Sequence, residues 1–236
     1  DYDYSKDRLE EKVLELSDDG SRLLAAVCDP ELSEVRVRVI DLSTGDTVID
    51  LGKYDRYQGY ALSGDGNHVA WTTTPVPYGP YVLNRQKIGP VPDPAPTTFE
   101  VPYLVERKVY LSTDGSRVVF NKDVGSSASA FVLCEPGSAA DGPNCATAPT
   151  LNYKYYFYDT QKSVALSGDG KTLAVFVRSA YTIEGVRNDS LTNRIEVYDR
   201  VDSAGPSSIT KSATFEAASA SSDFPPTLDE AGDVLL

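Results

Sequence analysis

Leu62-Ser63-Gly64-Asp65-Gly66 decides the fold because it recurs: Leu16-Ser17-Asp18-Asp19-Gly20, Leu111-Ser112-Thr113-Asp114-Gly115, Leu166-Ser167-Gly168-Asp169-Gly170 and a degenerate Leu228-Asp229-Glu230-Ala231-Gly232. An apolar run follows each copy (Leu23 to Val27, Val69 to Trp71, Val118 to Phe120, Leu173 to Val177, Val234 to Leu236), so every copy reads as strand, tight turn, strand. The glycine spacing grows from 46 to 62 residues, near the period of a four-stranded propeller blade and too long for a lone hairpin. The expected fold is all-β: a β-propeller of four-stranded antiparallel blades, four complete and a fifth begun. The blades are expected near 12–57, 58–104, 105–158, 161–217 and 223–236, the last incomplete.

Within the first period, Lys12 to Ser17 reads as the inner strand, Arg22 to Cys28 as the second, Glu34 to Leu42 as the third and Thr47 to Leu51 as the outer one. Second strands are apolar on both faces, as sheets stacked between sheets require. Third strands alternate: Val35, Val37 and Val39 interleave with Arg36 and Arg38, and Ile195 and Val197 with Arg194 and Glu196. The expectation is that they sit farther out, with one face wet.

The charge balance, 22 basic against 35 acidic residues and a net −13, opposes phosphate backbones and anionic lipid heads. Nucleic acid is not an expected partner. No apolar stretch approaches the roughly 20 residues that span a bilayer as a helix, so no membrane insertion is expected. Residue 1 is Asp, no basic-then-apolar leader precedes the repeats, and Met is absent. This reads as a removed signal peptide or an internal fragment.

Cys134 and Cys145 flank ten residues of turn formers and small side chains that would not pack a core. A disulfide between them is the expectation, with two separate thiols as the alternative; a bond would imply an oxidising compartment. Cys28 ends an apolar run and reads as a buried thiol, or as the partner of a cysteine elsewhere. Three cysteines and one histidine lack the spacing of a zinc site.

The repeated Leu-Ser-x-Asp-Gly, followed by a small or basic residue and an apolar strand, resembles the TolB-type propeller repeat. Val39-Ile40-Asp41-Leu42-Ser43-Thr44-Gly45-Asp46 resembles the strand-and-turn unit of YVTN-type propellers. The resemblance implies blade architecture and carries no catalytic residue. Proteins with such repeats include periplasmic scaffold and binding proteins, surface-layer proteins and the gating domains of prolyl oligopeptidases.

Function is expected in the insertions. Thr74 to Pro80 and Gly89 to Pro96 hold seven of the 15 prolines, with Tyr78 and Tyr81 nearby as contact candidates. The Cys134 to Cys145 loop, the Thr182 to Asn193 loop and the Ser203 to Ser222 stretch are the other insertions. Tyr153, Tyr155, Tyr156, Phe157 and Tyr158 form an aromatic strand, either a glycan-stacking or assembly surface or rings buried between blades. Asn188-Asp189-Ser190 is the one Asn-x-Ser/Thr sequon, placed in the polar insertion of blade four.

Several chemical signals dissolve. Gly170-Lys171-Thr172 mimics a phosphate loop, but Ala165 stands where the pattern needs Gly. Asp1, Asp3, Ser5 and Asp7 have calcium-loop spacing, yet Lys6 and Lys12 occupy the positions of a Gly and a Glu. Asp19, Asp65, Asp114 and Asp169 recur as turn residues. His68 is the one histidine, no Gly-x-Ser-x-Gly elbow exists, and no haem attachment motif is present. The expectation is a non-catalytic extracellular binding or assembly propeller without metal or cofactor, engaging a protein partner, itself or a glycan. The alternatives are the gating domain of a larger secreted hydrolase and a carbohydrate-binding propeller. The fifth copy breaks off inside its second strand, so the ring is expected to close through further sequence or a neighbouring molecule, the second route permitting filaments.

Overall fold

The computed structural model describes residues 12–55, 58–73, 81–101, 104–125, 128–135, 145–147, 151–152, 164–183, 186–201, 208–217, 227–228 and 234–235. They form an all-β propeller built of antiparallel sheets. Blade one is β1 (Lys12–Leu16), β2 (Arg22–Asp29), β3 (Glu34–Asp41) and β4 (Thr47–Lys53), paired in that order. Blade two is β5 (Tyr60–Leu62), β6 (His68–Thr73), β7 (Tyr81–Lys87) and β8 (Thr97–Val101). Blade three is β9 (Leu104–Leu111), β10 (Val118–Gly125) and β11 (Ala128–Cys134), its outer place shared by β12 (Cys145–Thr147) and β13 (Leu151–Asn152). Blade four is β14 (Val164–Leu166), β15 (Thr172–Ile183), β16 (Val186–Val201) and β17 (Ser208–Ala217); β18 (Thr227–Leu228) pairs with β19 (Val234–Leu235).

Side chains alternate across each sheet, so every blade has an incoming face toward the preceding blade and an outgoing face toward the next. Leu24, Val37 and Val39 on the outgoing face of blade one pack with Leu62, Val69 and Ile88 of blade two. Ala61, Ala70, Leu83 and Val101 pack with Val109, Val118, Phe120, Val132 and Cys134 across the next seam. Val119, Phe131 and Leu133 meet Val164, Leu173, Val175 and Tyr198 across the third. Each buried aliphatic side chain of this kind contributes about 1.5–3 kcal/mol, so the seams hold the blades together.

Three expectations need correction. Glu196, expected on a wet face, is buried at 3% exposure, accepting the Tyr198 hydroxyl with Lys211 Nζ 3.7 Å away. The cause is its face: it lies under blade three, whereas Arg36 and Arg38 lie on the incoming face of blade one, where no described blade packs. Cys28, expected buried, is exposed. Counted from the equivalent turn glycines, it lies one residue beyond Thr73, outside the described span of β6. The Thr182 to Asn193 segment, expected as a loop, is largely strand: β15 and β16 stay paired out to Ile183 and Val186, and Asn188 pairs with Tyr181. Backbone pairing there overrides a polar composition.

Strand alternation sorts the connections. The four Ser-x-Asp-Gly turns, residues 42–46, residues 88–96 and the anchors Cys134 and Cys145 lie at one end, here the turn end. Residues 30–33, the anchors Thr73 and Tyr81, and the Ile183–Val186 pair of β15 and β16 lie at the far end.

Candidate functional site: the turn end of the propeller

The repeated sequence builds the same small network four times. Ser17, Ser63, Ser112 and Ser167 are buried, and their hydroxyls donate to Asp19, Asp65, Asp114 and Asp169 at 2.6–2.9 Å. Each aspartate also accepts the N–H two residues on, from Ser21, Asn67, Ser116 and Lys171. Each serine oxygen accepts the N–H five residues on, from Arg22, His68, Arg117 and Thr172. The closing glycine sits at φ +65 to +69°, where a side chain is strained. Burial works against ionisation at Asp65, Asp114 and Asp169, but hydrogen bonds from the turn outweigh it. At Asp19 the Ser21 N–H dominates, and all four carboxyls stand below the usual value.

These turns are tied to one another. Asp18 N–H donates to the Gly64 carbonyl at 2.8 Å, and Asp65 N–H to the Thr113 carbonyl at 2.8 Å. Thr113 Oγ1 lies 3.3 Å from Asp18 Oδ2, so residues 95 apart in sequence meet across blade two. Gly64 fills the gap between them: a Cβ there would fall 2.0 Å from Asp18 Oδ2 and 2.9 Å from Thr113 Cγ2. One turn back along β1, Glu15 accepts the Leu62 N–H at 2.6 Å. Burial pushes its carboxyl up to about 7; the Leu62 bond opposes this and the Asp18 charge adds to it.

A second device spans each seam. The residue two places after one turn glycine covers the glycine of the next blade: Arg22 over Gly66, His68 over Gly115 and Arg117 over Gly170. Arg22 Nη1 also donates to the Gly66 and Ile88 carbonyls at 2.7 and 3.2 Å. Where histidine stands in the series, Arg85 supplies the bond to the Gly115 carbonyl at 3.1 Å. His68 is pushed toward its neutral form by burial and then by Arg85, and among the described residues its Nδ1 has no hydrogen-bond partner, with Asp65 Oδ1 3.9 Å away. Its ring fills a seam.

Two insertions have their anchors at this end. In residues 88–96, Ile88 N–H and Gly89 N–H both donate to the Asn67 carbonyl, at 2.7 and 3.1 Å. Asp93 N–H donates to the Lys87 carbonyl at 3.0 Å, and Gln86 Nε2 to the Asp93 carbonyl at 3.0 Å. Val91 projects from this base at 74% exposure. Cys134 and Cys145 are disulfide-bonded across directly paired positions of β11 and β12, closing the connection between them.

Of the expected contact residues, only Tyr81 is among the described ones. Tyr81 is half-buried against the core between blades two and three, at the far end. Tyr78, Tyr153 and Tyr155 lie outside the described residues, as do Asp1, Asp3, Ser5 and Asp7. Asn188 lies in β16 on the far-end hairpin. Among the described residues no three His, Cys, Asp or Glu side chains converge as metal ligands would. Sequence reasoning missed Glu15, Asp18, Thr113 and Arg85. One signal pointed toward them: an acid at position 15 where blades two and four have Ala61 and Ala165; the glycine at 64 is shared with Gly168 of blade four.

No protein-family model matches the chain, and no curated protein matches it. Among solved structures it is similar to TolB from Acinetobacter baumannii, with a TM-score of 0.50 and 15% identity over 94% of this chain and 47% of that one. Hydrazine synthase from Kuenenia stuttgartiensis (TM-score 0.48, 16% identity, 92% of this chain and 58% of that one) and a putative TolB from Agrobacterium tumefaciens (0.46, 14%, 93% and 70%) also match. The chain spans about half the length of the Acinetobacter TolB. At this identity the likeness shows the fold: an all-β propeller of the kind found in TolB.

Proposed function

We propose that this chain is a non-catalytic propeller module of an oxidising, extracellular or envelope compartment, and that it recognises a protein partner through its turn end. The observation that carries the reading is the joining of turns from three blades into one hydrogen-bonded platform, with Val91 projecting from a loop clamped onto it. A surface already held in place loses little conformational entropy on binding, and an exposed aliphatic tip is a natural anchor. The Cys134–Cys145 bond supports the compartment. The lone histidine is committed to a seam, which supports a module without catalysis of its own. Asn188 as a glycan acceptor fits the same reading, since a sugar on the far-end hairpin leaves the turn end open.

The test replaces Val91, and separately the exposed far-end Leu32, with a photo-crosslinking residue in the native host. The reading expects protein adducts from position 91 and few from position 32. Adducts from position 32 alone, or from neither, would contradict it.

A further inference from the structure

We infer that the incoming face of blade one is the docking face for one further blade of the native protein, other than the four described, carrying a long basic side chain or a histidine two positions after its turn glycine. The inference rests on the internal repeat. At three seams an Arg or His from the preceding blade covers the next turn glycine, and the fourth glycine of the series, Gly20, has no described atom within 4 Å of its Cβ position. The aliphatic row beside it is bare in the same way. Leu16 is 51% exposed and Val13 66%, whereas Leu62, equivalent to Leu16 in blade two, is 2% exposed, and Val69, Val118 and Leu173, equivalent to Leu23, are fully buried.

The rim of this face is already neutralised. Arg36 pairs with Glu34 at 2.7 Å and with Asp50 at 2.9 Å; Arg38 pairs with Asp29 and with Asp50. A docking sheet therefore meets an apolar centre inside a charge-paired border, the anatomy of a protein interface. It need supply only an aliphatic face and one donor for the Gly20 carbonyl, as Arg22 does for Gly66.

None of the four described blades offers the socket an open face from a second copy. The outgoing faces of blades one to three are covered by their neighbours, and on blade four Ala174, Ile195 and Val197 are buried as well. Thr172, at the covering position of blade four, is short, and its hydroxyl donates to Asp199 at 3.1 Å.

The test uses a photo-crosslinking residue in place of Leu16 in the protein made by its native host. Hydroxyl-radical footprinting at Val13 is read in parallel on that protein and on the 236-residue chain. The expected adduct is a peptide with an Asp-Gly turn followed two residues later by Arg, Lys or His, and Val13 oxidises at least about tenfold more slowly in the native protein. An adduct to a second copy of residues 164–217, an adduct to a peptide lacking that turn, or equally fast oxidation of Val13 in both samples would overturn the inference.

Discussion

Blade one and blade four present the same incoming face to different surroundings. Arg38 and Glu196 occupy equivalent places on their third strands. Arg38 stays half-wet, fixed by Asp29 and Asp50, while Glu196 lies buried beneath blade three with the Tyr198 hydroxyl and Lys211. The repeat sets the register of each sheet, and the neighbour sets which polar residues must be internally satisfied. A charged residue on a strand is thus no guide to wetness until the next blade is known.

The largest difference between open and covered faces is expected at the leucine of the repeat. Leu62→Ala should cost about 2–4 kcal/mol, because it leaves a cavity between blades one and two, and Leu16→Ala under about 1 kcal/mol. Urea unfolding of the two variants measures the difference. Equal losses would mean that the face of blade one is covered after all.

Next is the staple on the incoming face of blade three. Reducing Cys134–Cys145, or replacing both residues by Ser, should lower stability by about 2–3 kcal/mol through freedom returned to the unfolded chain. Thermal unfolding with and without reductant checks this.

The glycines sharpen the comparison further. Gly20→Ala should cost only the strain of a positive φ, about 1 kcal/mol, since open space surrounds it. Gly115→Ala should cost about 1–2 kcal/mol more, because its Cβ would fall 2.4 Å from His68 and force the seam apart. Denaturation midpoints of the pair decide it.

The smallest expected effect is in pH. Glu15 has a raised value in the folded state, so its contribution is present below about 4.5 and lost as pH rises through about 7. Asp50 is the reverse case: burial opposes its charge, but Arg36 and Arg38 hold it down to about 2, so its contribution is present above 3.8 and lost as pH falls toward 2. Stability from these two groups therefore peaks between about 4 and 4.5. Glu15→Gln should flatten the alkaline side by about 1 kcal/mol, a figure discounted for the partial solvent contact of Glu15.

The turns were legible because their chemistry is local: Asp-Gly supplies the positive φ, and Ser and Asp bond within five residues. The blade order followed from their spacing. What stayed hidden was non-local. Asp18 and Thr113 meet 95 residues apart, and the Gly64 between them, matched by Gly168 in blade four, does not single the meeting out. Residues 186–193 carry Asn, Asp, Ser and Thr and read as loop, yet their partner β15 holds them in a ladder. The half-wet third strand holds in blade one, where Arg36 and Arg38 are partly exposed, and fails at Glu196 of blade four, because alternation reports two faces without naming what packs on either.

One face of the repeat is open in blade one and closed in the other three described blades. Single cysteines at Leu16→Cys and Leu62→Cys, each in a Cys28→Ser background, test it by their rate of reaction with a maleimide on the folded chain. The cysteine at position 16 is expected to react at nearly the rate of an exposed thiol and the one at 62 about a hundredfold or more slowly, limited by opening of the seam. Equal rates at the two positions would contradict it.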